Sequence, residues 1–304
     1  MEADLKNTLI LADDETQYDT CAKDLLARKS ILAHILRSTV DDFQEMSPDE
    51  VEECIEDEIY AGVVPTEPGL TNRAQVTTGG DKITGLNTVQ SEKQEGLAVF
   101  DILFYVRTRD GLSRIIINVE AQKDEPSGYD ILNRAIFYVS RLISSQKERD
   151  FKGKKYDDLK RVYSIWICMN MEECIWNYVH LTNDSILSDH IWKGKLDLLN
   201  IVLLGVPNDL PKRGRKYRLH RLLGTLFSVD VKPNERIDIL ESEYHIAAGS
   251  EFREELDSMC NLGQGILELG EARGEARGEG TSDCEYGSGG IVIRDDFQSD
   301  WGDG

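Results

Sequence analysis

LAVFDILFYV (residues 97–106) and IIINV (residues 115–119) are the two runs that decide the fold of this chain. Both are rich in Val, Ile, Phe and Tyr, the residue types that favour buried β-strands. Between them stands Asp110-Gly111, a dipeptide typical of the two-residue turn of a β-hairpin. The stretch therefore predicts an antiparallel pair of strands.

Each of the two strands is associated with one carboxylate. Asp101 lies inside the first run, and Glu120 directly follows the second. Counting back from a two-residue turn along both strands places Asp101 directly opposite Glu120. A loop longer or shorter by one residue would place Asp101 opposite Val119 or Ala121 instead. The sequence thus predicts a facing pair of acids, provided that the turn has two residues.

Gln122 and Lys123 extend this constellation. Side chains alternate faces along a strand, so Gln122 shares the face of Asp101 and Glu120, while Lys123 points the other way unless the strand bulges or ends at Gln122. Gln122 can orient an attacking water but cannot act as a base, because an amide takes up no proton in the useful range. Lys123 is expected to stabilise transition-state charge if the end of the strand turns it inward.

The chemistry of opposed carboxylates points to a metal ion. Their β-carbons lie about 5 Å apart, an arrangement that destabilises a plain sheet. A divalent cation removes the conflict, and Mg²⁺ and Mn²⁺ prefer oxygen ligands. We therefore expect Asp101 and Glu120 to bind Mg²⁺ (or Mn²⁺), an ion that activates water and neutralises charge on a phosphoryl oxygen. The alternative is a solvated pair of acids at the edge of a sheet.

The amino-acid composition narrows the cellular compartment and the class of protein to which the chain can belong. The chain has 304 residues, 40% of them hydrophobic, which is ample for a globular core. Its six cysteines include no Cys-x-x-Cys pair with a His at ligand spacing, so we expect neither a zinc site nor a disulfide framework. The first 15 residues have acidic flanks and a short apolar stretch, which is typical of neither a signal peptide nor a membrane span. We therefore expect a cytoplasmic protein without membrane association.

One basic segment stands out from an acidic chain. The net charge of −21 is unfavourable for nucleic-acid binding, since phosphate contacts supply most non-specific affinity. The segment KRGRKYRLHR (residues 212–221) nevertheless contains no acid and has Tyr and His interleaved. We interpret it as a phosphate-binding segment, with a solvated loop and helix start as the alternative. The residues expected to contact DNA are Lys212, Arg213, Arg215, Lys216 and Arg218.

Apolar spacing predicts the remaining elements. Strands are expected at residues 161–170 and 197–206, and helices at 18–40, from Ser47-Pro48 onward, and at 129–146, 220–227 and 250–269. Residues 62–94 are rich in Thr, Gly and Asn and read as a loop. In the helix at 129–146 the expected buried stripe is Leu132, Ile136, Val139 and Ile143. Three tryptophans are expected in the core, namely Trp166, Trp176 and Trp192.

A family resemblance is carried by FDILFYV…INVEAQK, GYDILNRAIFYVSRLISSQ and VYSIWICMN. In their order, spacing and wording these segments closely resemble the PD-(D/E)XK nuclease family transposases, a group also described as recombination-promoting nucleases. The similarity runs from about residue 18 to residue 270 and includes the GEAR-like tail. Asp101 falls on the first acid of the family and Glu120 on the second. Gln122 falls where the broader superfamily has Lys.

The resemblance implies an α/β fold: a restriction-endonuclease-like core in which a central mixed β-sheet carries the antiparallel catalytic hairpin and is flanked by helices. It also implies an accessory acid from the first helix, for which Asp19, with Lys23 following it, competes with Glu45. Arg134 and Tyr138 match polar positions that reach toward the phosphate. The expected ranges are 1–15 for a variable N-terminal arm, 16–270 for the nuclease-like domain and 271–304 for the low-complexity GEAR repeat and disordered acidic tail.

The implied function is metal-dependent DNA endonuclease activity by phosphodiester hydrolysis, in a transposase-like setting that promotes DNA recombination. The expected partner is DNA, and a homodimer is left open. The alternative is a DNA- or protein-binding module that kept the nuclease fold and lost efficient cleavage. Two features support it: Gln122 stands where the broader superfamily has Lys, and most of the surface is acidic.

Overall fold

The computed structural model describes a chain of seven helices and eight strands over part of its length. The described residues are 17–18, 20–56, 65–66, 89–92, 96–99, 101–109, 114–123, 128–147, 149–188, 190–228 and 230–259. The expected arm at 1–15, the tail at 271–304, the turn Asp110-Gly111 and Asp19 lie outside them. No helix of the described part combines the length and apolar character needed to cross a membrane.

The bounds of the elements follow the chain. Helices α1 (20–26), α2 (Lys29–Thr39) and α3 (Pro48–Cys54) precede strands β1 (Pro65–Thr66), β2 (Val89–Glu92), β3 (Gly96–Val99), β4 (Ile102–Arg107) and β5 (Arg114–Gln122). They are followed by α4 (Ile131–Ser144), β6 (Val162–Met171), β7 (Ile175–His180), β8 (Leu199–Pro207), α5 (Arg218–Phe227), α6 (Pro233–Tyr244) and α7 (250–259). The capping box predicted at the start of α3 is present.

The five-stranded sheet has the order β4-β5-β6-β8-β7. The pairs β5/β6 and β6/β8 are parallel, while β4/β5 and β7/β8 are antiparallel. In the hairpin Ile102 lies opposite Val119 and Arg107 opposite Arg114, which is the register expected for a two-residue turn. The predicted mixed sheet with an antiparallel hairpin is therefore confirmed.

Helices cover both faces of this sheet. On one face, side chains such as Phe104, Ile117 and Ile165 pack into a large core with residues of α1, α2, α3, α5, α6 and α7. On the other face, Leu103, Ile116 and Trp166 pack against α4. Side chains alternate faces along β4 and β5, so Glu120 lies on the same face of the sheet as Leu103. This is the face that α4 covers.

The first predicted strand is not continuous, which corrects the expectation for residues 97–106. Leu97 and Val99 belong to β3, which pairs with β2 and β1 in a separate three-stranded sheet. The five-stranded sheet begins only at Ile102, and Asp101 lies in a bend. The backbone N–H of Asp101 donates to the side chain of Glu120, so the chain leaves the backbone hydrogen-bond ladder at this residue.

The buried stripe predicted for α4 is also wrong in part. Val139 is buried and Ile143 half-buried, but Leu132 and Ile136 are exposed. The helix instead turns Tyr138 to the sheet, where its ring packs against Trp166 with ring centroids 5.4 Å apart. The rotation of α4 about its axis is set by this aromatic contact and by the other buried residues of the helix, Ala135 and Leu142.

Several further elements differ from the sequence expectation. Strand β2 falls within the region predicted to be loop, and neither β7 nor α6 was predicted. Trp166 is buried as expected, but Trp176 is 41% exposed on an edge strand and Trp192 is 80% exposed. The core prediction fails for both, because β7 has a neighbour on one side only and the chain after it leaves the sheet. The described cysteines, Cys21, Cys54, Cys168 and Cys174, form no disulfide bond.

Candidate active site

The two predicted acids meet at the open end of the hairpin. Asp101 precedes β4, Glu120 lies near the end of β5, and the register brings them face to face. The backbone N–H of Asp101 donates to Oε1 of Glu120 at 3.2 Å. In return, the backbone N–H of Ala121 donates to Oδ2 of Asp101 at 3.0 Å. These two reciprocal hydrogen bonds fix both carboxyl groups at one point of the sheet.

Burial makes the acid pair energetically unfavourable in the absence of a cation. Glu120 is only 1% exposed. Its burial, followed by the charge of Asp101, raises the pKa of the Glu120 carboxyl well above its usual range. The hydrogen bond from Asp101, the charge of Arg134 and a hydrogen bond from Asn118 oppose this rise in pKa. The site therefore favours any cation that compensates a second negative charge.

One such cation within the protein is Lys23 of α1. Its Nζ lies 3.0 Å from Oδ1 of Asp101, with side-chain exposures of 33% for Lys23 and 10% for Asp101. In the sequence, Lys23 stands out only because it follows the accessory candidate Asp19. No local signal connects it with the hairpin, because the contact joins two distant parts of the chain.

Gln122 and Lys123 close the predicted constellation at the end of β5. Gln122 is half-buried, and its Nε2 donates to the backbone oxygen of Ala121 at 3.0 Å. Strand β5 ends at Gln122, so strict alternation no longer fixes the direction of Lys123, which is half-buried. The inward turn of Lys123 stays a prediction.

Arg134 and Tyr138 face the acid pair from the α4 layer. Nη2 of Arg134 donates to the hydroxyl of Tyr138 at 2.9 Å, and Nη1 of Arg134 donates to the hydroxyl of Tyr129. The guanidinium also lies 5.5 Å from the ring centroid of Trp166, the residue paired with Glu120 across β5 and β6. Because the charge of Arg134 lowers the pKa of Glu120 and that of Glu120 raises the pKa of Tyr138, the two predicted accessory residues belong to the surroundings of the acids.

A network of buried polar side chains adjoins Glu120. Nδ2 of Asn118 donates to Oγ of Ser164 at 3.1 Å, and Nε1 of Trp166 donates to the same oxygen at 2.9 Å. Asn118, Ser164 and Trp166 are fully buried. Asn118 lies two residues before Glu120 on the same face of β5. A polar residue within an apolar strand is the sequence feature that could have identified it.

The basic segment lies at the same edge of the sheet as the acids. Strands β5, β6 and β8 are parallel, so their C-terminal ends meet at one edge, and residues 212–218 follow directly after β8. Lys216 lies 5.1 Å from the ring centroid of Tyr217, and its charge lowers the pKa of the Cys174 thiol, although burial raises that pKa overall. The segment is thus beside the start of β7, which is separated from β5 by the two strands β6 and β8.

The members of the basic segment differ in their freedom to meet a phosphate. Arg213 forms an ion pair with Glu243 at 2.8 Å, and Arg218 donates to the backbone oxygen of Glu243 at 3.3 Å. Lys212, Arg215 and Lys216 are exposed and form no ion pair with any residue that the structure describes. Three of the five residues predicted to contact DNA therefore carry a positive charge that is not paired with a described carboxylate.

The donor set fits a hard divalent cation. Among the described residues no group of three or more His, Cys, Asp and Glu side chains could hold a metal ion, so the acids of the site are Asp101 and Glu120. One or two carboxylates suffice for Mg²⁺, which retains several waters and takes substrate phosphate oxygens as further ligands. Of the two accessory acids, Asp19 lies outside the described residues and Glu45 is exposed in the turn before α3.

Comparison with known proteins gives one match. The model of the family described as PD-(D/E)XK nuclease family transposase matches residues 81–212, a range that contains the hairpin, α4, β6, β7 and β8. The mixed five-stranded sheet with flanking helices is the restriction-endonuclease-like α/β fold. No curated protein and no solved structure matches the chain.

Proposed function

Because residues 81–212 match the model of the PD-(D/E)XK nuclease family transposases, we propose that the chain is a metal-dependent endodeoxyribonuclease that promotes DNA recombination. Asp101 and Glu120 bind Mg²⁺ or Mn²⁺ between the ends of β4 and β5. DNA is the substrate, and the reaction is hydrolysis of a phosphodiester bond. The cytoplasm is the expected compartment, and association into a homodimer stays a prediction.

The observation that carries this proposal is the buried, facing pair of acids. A protein gains no stability from two carboxyl groups that share one low-dielectric site, since their mutual repulsion raises the pKa of Glu120. Such an arrangement is typical of functional sites, where burial and like charges are tolerated for chemistry. A solvated pair of acids, the alternative reading, does not fit a Glu120 that is 1% exposed.

The remaining side chains have separate roles in this proposal. Asp101 and Glu120 would hold the divalent ion, which as a Lewis acid would lower the pKa of water and neutralise charge on the phosphate. Gln122 orients the water through its amide oxygen, because its Nε2 already donates to Ala121. Arg134, held by Tyr138 and Tyr129, keeps positive charge on the α4 side of the acids. Lys123 adds charge at the end of β5.

DNA runs along the edge that the acids share with the basic segment. Lys212, Arg215 and Lys216 are exposed there and contact phosphates, while Arg213 and Arg218 are partly committed to Glu243. The acidic remainder of the surface repels DNA elsewhere, so the backbone is confined to this edge.

A plasmid-nicking assay in Mg²⁺ and in Mn²⁺ tests the proposal. Wild type is expected to convert supercoiled plasmid into open circles, and Asp101→Asn to lose about 10²-fold or more of the rate, since it removes a metal ligand at constant size. The control is Asp157→Asn, an exposed acid in the turn before β6, which is expected to match wild type. Equal rates for wild type and Asp101→Asn would contradict the proposal. DNA binding without cleavage in either metal would favour the binding-module alternative.

A further inference from the structure

A cation from the first helix faces the acids on the side opposite to Arg134. We propose that Lys23 is a catalytic residue of this site: its ammonium stabilises the negative charge that develops on the scissile phosphate next to Asp101. The inference rests on the proposed nuclease function and assigns the positive charge that an amide at Gln122 does not provide.

The first support is the geometry at Asp101. Its Oδ2 accepts the backbone N–H of Ala121, and its Oδ1 lies 3.0 Å from Nζ of Lys23. The ammonium is therefore directed to the other carboxylate oxygen from the one that accepts the N–H of Ala121. Any phosphate that reaches a cation on this oxygen also comes near Lys23.

The second support is the arrangement of charge around the acids. Lys23 comes from the layer of helices that packs on one face of the sheet, while Arg134 comes from α4 on the other. Asp101 and Glu120 lie between the two. A phosphate at the acids thus meets positive charge from both layers, which is the disposition needed for a phosphoryl group that gains charge during reaction.

The third support is that α1 holds Lys23 firmly in place. Its neighbours Ala22, Leu25 and Leu26 are buried in the large core. One turn earlier, the hydroxyl of Tyr18 donates to Sδ of Met169 at the C-terminal end of β6, at 3.7 Å. The helix is therefore anchored at the edge of the sheet where Asp101 and Glu120 lie. An ammonium that is already fixed in position needs no reorganisation when charge develops on the phosphate.

Gln122 and Lys123 do not fill the same role. The amide of Gln122 carries no charge, and its Nε2 is engaged by the backbone oxygen of Ala121. Lys123 follows the last residue of β5, whereas Lys23 contacts the carboxylate itself. The alternative to catalysis is a clamp, in which Lys23 only ties α1 to the hairpin.

The experiment separates catalysis from clamping with two readouts on the full chain. Lys23→Met keeps the length of the side chain and removes its charge, Lys23→Arg keeps the charge, and Lys152→Met, at an exposed turn, is the control. Plasmid nicking is measured in Mg²⁺ and Mn²⁺, and Mn²⁺ affinity is measured without DNA by isothermal titration calorimetry. Lys123→Met is measured alongside as the competing cation.

We expect Lys23→Met to cleave about 10²-fold more slowly, because one fixed charge contributes on this order to the transition state. The same variant is expected to bind Mn²⁺ about tenfold more tightly, because the metal no longer competes with an ammonium for Oδ1 of Asp101. Lys23→Arg should retain a larger share of the rate than Lys23→Met, and Lys152→Met should match wild type in both readouts.

Other outcomes overturn the assignment. A clamp predicts weaker Mn²⁺ binding in Lys23→Met, as the hairpin loosens, and that result would reject catalysis. Cleavage by Lys23→Met at the wild-type rate, with Asp101→Asn inactive, would overturn the role of Lys23 alone. Loss of cleavage in Lys123→Met with full cleavage in Lys23→Met would assign the charge to Lys123. An inactive wild type would overturn the proposed function and, with it, this role.

Discussion

Glu120 combines a carboxylic acid with nearly complete burial, and the residues around it only partly compensate. Asn118 and the backbone of Asp101 donate hydrogen bonds to it, and Arg134 contributes charge. Burial and the charge of Asp101 nevertheless outweigh them, so the pKa stays raised. The residue is therefore poorly adapted to stability and well adapted to holding a cation, which is the usual trade-off at an active site.

Glu120→Gln is expected to make the metal-free protein more stable at pH 8, by about 1 kcal/mol, while abolishing Mn²⁺ binding and cleavage. In the folded state, burial and the charge of Asp101 raise the pKa of Glu120 above its ordinary value, so this group contributes its stability below that value and loses it as the pH rises through the folded pKa. The gain from Gln should thus grow with pH. Urea denaturation in EDTA at acid and alkaline pH measures it.

The control for this prediction is Glu254→Gln, an exposed residue of α7. It should leave the free energy of unfolding unchanged at every pH. A stability gain in Glu120→Gln of the same size at both pH values would contradict the raised pKa.

Among the elements, β8 packs closely against its neighbour β7 at Gly205. It lies between β6 and β7, and Gly205 pairs with Cys168 on one side and Ile175 on the other. The position of β7 also depends on α5, since Nε2 of His220 lies 2.9 Å from the backbone oxygen of Ile175. The edge strand is thus held by close contacts on two sides, and it carries Trp176 next to the basic segment.

Gly205→Ala tests this packing. A Cβ at Gly205 would lie 2.9 Å from Cβ of Ile175, its partner on β7, so the two strands would have to shift to make room for it. The expected loss is about 1–3 kcal/mol in the free energy of unfolding. Gly128→Ala, where no atom lies within 4 Å of the added Cβ, should be close to neutral in the same urea titration. Equal stability of the two variants would refute the close packing.

Across the whole molecule, charge is divided between a strongly acidic chain and one basic edge. The net charge of −21 disfavours contact with DNA, yet residues 212–218 stand at the edge where the acids lie. We therefore expect DNA binding that is weak, sensitive to salt and confined to this edge.

Lys216→Gln and Arg213→Gln distinguish free from paired charge in that segment. Lys216 forms no ion pair with a described residue, whereas Arg213 pairs with Glu243. Removing Lys216 should lower the slope of log K against log salt concentration by about one, and removing Arg213 should lower it less. Fluorescence anisotropy of a labelled duplex over a salt series measures both slopes. Equal changes, or wild-type binding without salt dependence, would contradict the assignment.

Local patterns in the sequence were sufficient for the hairpin and its acids. Alternation and a turn dipeptide predicted that Asp101 faces Glu120, and the register agrees. The capping box of α3 and the buried strands β6 and β8 followed from equally short patterns. The resemblance to the nuclease family was correct for the same segment. These features depend on residues near one another in the chain, or on a period that repeats along it.

The tertiary fold decided the rest. In helix α4, Tyr138 is buried against Trp166, whereas Leu132 and Ile136 of the predicted stripe are exposed. Exposure of Trp176 follows from the position of β7 at the edge, which no local pattern encodes. The contact of Lys23 with Asp101 joins distant segments. Such contacts form only when helices dock on the sheet, because long-range packing, and not local propensity, determines which side chains meet.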